Sequence, residues 1–74
     1  MTNQDYVTRL TPIASKYGMT VKISSSNQVI IIDKKNRFAG YVDATNQTII
    51  AKKIGSQTLI GSLALYPMID AIKQ

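Results

Sequence analysis

Val29-Ile30-Ile31-Ile32-Asp33-Lys34-Lys35-Asn36-Arg37-Phe38-Ala39-Gly40-Tyr41-Val42-Asp43 reads as two strands joined by a basic turn. Val29–Ile32 is apolar on both faces, as expected for an inner strand. Lys34–Arg37 forms the turn and Phe38–Asp43 the return strand. In the return strand Phe38, Gly40 and Val42 share one face by alternation, and Ala39 and Tyr41 share the other. Ala44–Gln47 is a second turn, after which Thr48–Lys53 is expected to run back as a further strand. In such a meander the first turn and the end of the last strand lie at the same edge of the sheet. Lys34, Lys35, Arg37, Lys52 and Lys53, five of the nine cationic side chains, are therefore expected to converge.

Upstream, Met19–Ser24 alternates between apolar and polar residues and reads as a half-buried strand, closed by turn chemistry at Ser25-Ser26-Asn27. Thr2–Tyr17 carries a helical stripe of Tyr6, Val7, Leu10, Ile13, Ala14 and Tyr17. Thr2 or Asn3 caps its start, Asp5 suits its dipole and Gly18 stops it. Pro12 is expected to kink this helix or to split it into two pieces. Downstream, Ser56 or Thr58 is expected to cap a second helix, with Leu59, Ile60, Leu63, Ala64 and Tyr66 covering much of its circumference. Pro67 is expected to interrupt that helix, and Met68, Ile69 and Ile72 continue an apolar stripe. The reading is one α+β domain over residues 1–74: helix, antiparallel meander of three to four strands, C-terminal helix.

A chain of 74 residues hides only roughly 60% of its extended-chain surface on folding, so its core is thin. Cysteine and histidine are absent, which removes disulfides and thiolate or imidazole metal ligands. Ile54–Ile69, the longest uncharged stretch, is too short and too polar to span a bilayer. Met1-Thr2-Asn3-Gln4-Asp5 has no basic region followed by an apolar run, so no secretory signal is expected. A soluble cytoplasmic protein is expected, without metal, cofactor or membrane.

Glutamate is absent too, so acid–base chemistry would have to come from Asp5, Asp33, Asp43 and Asp70. Asp33 and Asp43 fall at opposite ends of neighbouring strands, which separates them beyond a shared site. An enzyme is therefore not expected. The net charge of +5 points to an anionic partner, nucleic acid or an acidic protein surface, met by the basic edge. Such lysines also serve to block edge-to-edge aggregation. If both helices cover the face bearing Val21, Ile23, Val29, Ile31 and Val42, then Ile30, Ile32 and Tyr41 point outward, with Lys22 and Arg37 on the same side. That outer face suits a homodimer interface. One aromatic, Tyr41, is fewer than a base-stacking platform uses.

The order helix, strands, helix in a basic chain of this size resembles a double-stranded RNA-binding domain in topology. Lys52-Lys53-Ile54-Gly55-Ser56 lies where that family has its phosphate-gripping turn. The following Leu59–Tyr66 has no cation, so the family's binding residues do not carry over. Lys16-Tyr17-Gly18-Met19-Thr20-Val21 and Phe38-Ala39-Gly40-Tyr41-Val42-Asp43 resemble small uncharacterised phage or prophage proteins of low-GC Gram-positive bacteria. That resemblance implies an accessory or host-interaction role without assigned chemistry. The function expected is a non-enzymatic basic binding module. The alternative is a self-associating structural or host-interaction protein that uses the outer sheet face.

Overall fold

The computed structural model describes residues 1–73. The chain runs α1 (Asn3–Lys16), β1 (Thr20–Ile23), β2 (Val29–Ile32), β3 (Phe38–Asp43), β4 (Thr48–Ala51), β5 (Lys53–Ile54), β6 (Gln57–Thr58) and α2 (Ser62–Ile72). β1 to β4 pair antiparallel in chain order, and β5 and β6 form a small separate hairpin. The fold is thus the α+β arrangement of helix, meander and helix.

Thr2 and Asp5 start α1 reciprocally. The Thr2 hydroxyl accepts from the Asp5 amide at 3.1 Å, and the Thr2 amide donates to the Asp5 carboxylate at 2.9 Å. This satisfies two donors that a helix start leaves free. At the other end Gly18 takes a left-handed φ of +77°, and the amides of Tyr17, Gly18 and Met19 return to the carbonyls of Ala14 and Ser15. Pro67 does not interrupt its helix, contrary to expectation, and Pro12 does not split α1: Pro12 lies inside α1 and Pro67 inside α2. Both prolines are on the solvent side. The carbonyls they leave without a donor belong to Thr8 and Leu63, which are also exposed and open to water.

The core is one layer between the helices and one sheet face. Tyr6, Leu10 and Ala14 of α1 and Ala64, Met68 and Ile72 of α2 meet Val21, Val29, Ile31, Val42 and Ile49. The helices also pack against each other, α1 over β1 and α2 over β4. Ile30, Ile32 and Tyr41 alternate with the buried Val29, Ile31 and Val42 and lie half-buried on the opposite face.

β3 departs from the alternation read in its sequence. Ile31 pairs with Gly40 but Ile32 pairs with Phe38, which leaves Ala39 unopposed as a bulge. One inserted residue reverses the facing of what precedes it. Ala39 is therefore buried, and Phe38 joins Ile32 on the outer face instead of sharing a face with Gly40 and Val42. Gly40 is required beside the bulge. A Cβ there would lie 2.6 Å from the Ile50 carbonyl oxygen and 2.9 Å from Ile60 Cδ1.

The stretch Thr48–Lys53 is not one strand. β4 ends at Ala51, the Lys52 amide bonds back to the Ala39 carbonyl at 2.8 Å, and Lys53 opens β5. Ser56 and Thr58, expected to cap a helix, belong to the hairpin instead, whose turn is made by Gly55 at φ +63°. α2 begins only after Gly61, which has no side chain to cap it. Burial follows Ala64, Met68 and Ile72 at intervals of four, and the expected core positions Leu63 and Tyr66 are exposed. Among the described residues no helix is long and apolar enough to cross a membrane.

Candidate binding surfaces

The β2–β3 turn is built by Asp33. Asn36 takes a left-handed φ of 61°, and the Asp33 amide pairs with the Arg37 carbonyl at 2.9 Å, the geometry of a three-residue hairpin loop. The Asp33 carboxylate accepts from the Lys35 amide, the Arg37 amide and Arg37 Nε at 2.9, 2.9 and 2.8 Å. The Arg37 amide, more than any other donor, holds this carboxyl below the usual aspartate range. The guanidinium of Arg37 is thereby tied into the turn. Lys34 and Lys35 project from the same turn, exposed and in no ion pair among the described residues.

Beside this turn opens a cavity of about 480 Å³ between the end of α1, the turn and the start of α2. Lys34, Lys35 and Arg37 line one side, and Tyr17, Met19, Leu59 and Leu63 supply apolar walls. The Lys16 ammonium lies 5.8 Å from the ring centre of Tyr17. Ser62 and Leu63 of the first turn of α2, which has no side-chain cap, line the same cavity. A second depression, about 330 Å³, lies across Lys34 toward Lys22, Ile32 and Asn36. Lys52 and Lys53 reach the same end of the sheet but do not line the cavity; they stand on the link into the β5–β6 hairpin. The five cations are thus split into a group of three and a group of two.

The outer face of the sheet is laid out in cross-strand rows. Lys22, Ile30, Tyr41 and Ile50 form one row, and Thr20, Ile32 and Phe38 the next. Phe38 and Ile50 are 40% and 41% exposed, so the apolar surface is open to contact. Sequence reading missed both as members of this face. Ile50 follows from the same alternation that places Tyr41. Phe38 is disguised by the bulge, whose only trace is Gly40 within a strand. Tyr17, Leu59 and Leu63 are hidden as cavity walls because the sequence places all three on apolar helix stripes, the latter two in a helix capped at Ser56 or Thr58.

Among the described residues no three carboxylates, histidines or cysteines gather to hold a metal. Asp33 and Asp43 stand at opposite ends of β3, the latter hydrogen-bonded to Asn46 at 2.8 Å. No family model, curated protein or solved structure matches this chain.

Proposed function

We propose that the chain is a non-enzymatic binding module of the cytoplasm whose basic end receives an acidic segment of a partner protein. The observation that carries this reading is the concave site itself, in which Lys34 and Lys35 face apolar walls across about 480 Å³. A nucleic acid backbone is best served by an extended cationic track. Here Lys52 and Lys53 stand away from the cavity and Arg37 is engaged by Asp33, which favours a compact acidic feature over a run of phosphates. The lack of histidine, cysteine and glutamate favours binding over turnover.

The test is a titration of a labelled aspartate-rich peptide, with single-stranded and duplex oligonucleotides as competitors. The peptide should bind, and affinity should fall between about 50 and 200 mM salt, as a screened charge contact does. Lys34→Gln with Lys35→Gln should weaken it roughly tenfold, a loss of about 1.4 kcal/mol, while stability stays within about 0.5 kcal/mol. Oligonucleotides that bind more tightly than the peptide would replace the protein partner with nucleic acid. Absence of all binding at low salt would end the reading.

A second reading rests on the bare outer face. Both helices pack on one side of the sheet, which leaves Ile30, Ile32, Phe38, Tyr41 and Ile50 unpaired on the other. A second copy of the chain laid against this face would extend the thin core of so short a domain. This suits an accessory or host-interaction protein of the small phage type.

A further inference from the structure

We infer that the cavity selects an acidic residue adjacent to a bulky apolar one over acidic sequence alone. The inference rests on the acidic-partner reading above and specifies what that partner presents. The cavity is two-sided. Lys34 and Lys35 come from the β2–β3 turn, whereas Tyr17, Met19, Leu59 and Leu63 come from the two helix ends and the hairpin exit. A carboxylate satisfies only the first side. Its volume of about 480 Å³ falls in the range of small-ligand sites, which are mostly apolar with a few oriented polar groups.

Three further observations agree. Leu63 is 79% exposed at the first turn of α2 and packs on nothing that the fold requires. A Cβ at Gly61 would meet no atom within 4 Å, so the α2 side has room for a side chain from outside. The one acidic group in the wall, Asp33, is offset by the Arg37 guanidinium paired with it, which leaves Lys34 and Lys35 as the net positive charge of the cavity. Charge complementarity therefore fixes one half of the ligand and the apolar wall the other.

The test compares two short peptides of equal charge, one with phenylalanine between two aspartates and one with serine in its place. Binding is followed by amide shifts of Tyr17, Lys35, Ser62 and Leu63. The phenylalanine peptide should bind at least about tenfold more tightly, the return for burying one large apolar side chain. Leu63→Asn, an exposed position, should shrink that preference, and Lys35→Gln should weaken both peptides alike. Equal affinity for the two peptides would overturn the inference and leave the acidic-partner reading standing. If neither peptide binds, both fall. A preference that survives Leu63→Asn with shifts on the outer sheet face would place the apolar contact elsewhere and overturn the inference.

Discussion

Gly40 is the residue on which the sheet depends most narrowly. Its missing side chain lets β3 approach the Ile50 carbonyl and the Ile60 methyl closely, where the Ala39 bulge bends the strand. Gly40→Ala should destabilise the fold by about 1–3 kcal/mol, as overpacking does, measured as a shift in the urea midpoint at unchanged slope. Asp33 has a different signature. Hydrogen bonds from Arg37 and Lys35 lower its pKa in the folded chain. Its contribution is therefore present above the unfolded value and lost as pH falls through the lower folded one. Asp5, lowered by the Thr2 amide, and Asp43, lowered by Asn46, act with the same sign. The denaturation midpoint should be flat from neutrality down to roughly pH 5 and drop below about pH 4. Asp33→Asn should start lower at pH 7 and fall less steeply in acid. An acid limb identical to that of the parent would show that the turn does not depend on this carboxylate.

At the scale of elements, local chemistry was legible wherever a side chain makes its own structure. The Thr2–Asp5 cap, the Gly18 stop and the turn at Asn36 are all written in residue types. The helix interruptions were not, because the cost of an internal proline depends on where its unpartnered carbonyl points. Pro67 leaves the exposed Leu63 carbonyl to water, and α2 continues. The cost persists all the same, and Pro67→Ala should raise stability by about 1–3 kcal/mol, read as a higher thermal midpoint. No gain would mean that proline's restriction of the unfolded chain offsets the lost hydrogen bond. The bulge and the β5–β6 hairpin escaped the sequence for a related reason. Both arise from contacts between strands, and an alternation pattern has no symbol for an inserted residue.

Across the whole molecule, the outer and inner sheet faces were separable in advance because one buried face fixes strand register. The concave site was not, since its walls come from three places distant in the chain: Tyr17, Lys35 and Leu63. Ile32→Lys tests the open face. If two copies meet there, sedimentation at rising concentration should show the parent associating and the variant remaining a folded monomer. A parent that stays monomeric throughout would leave the face free for other contacts. The three tight turns of the meander join neighbours in sequence, whereas Arg9 of α1 reaches the Ala71 carbonyl of α2 at 3.4 Å across nearly the full chain. Contacts of short sequence separation close first, because the loop entropy they lose is small. The helix pair is therefore expected to close last. Weakening it at Leu10 or Met68, both fully buried, would speed unfolding far more than it slows folding. Unfolding rates of these variants, read by stopped flow, are expected to place control of the native-state lifetime where the two ends of the chain meet, and a slowed folding limb instead would refute it.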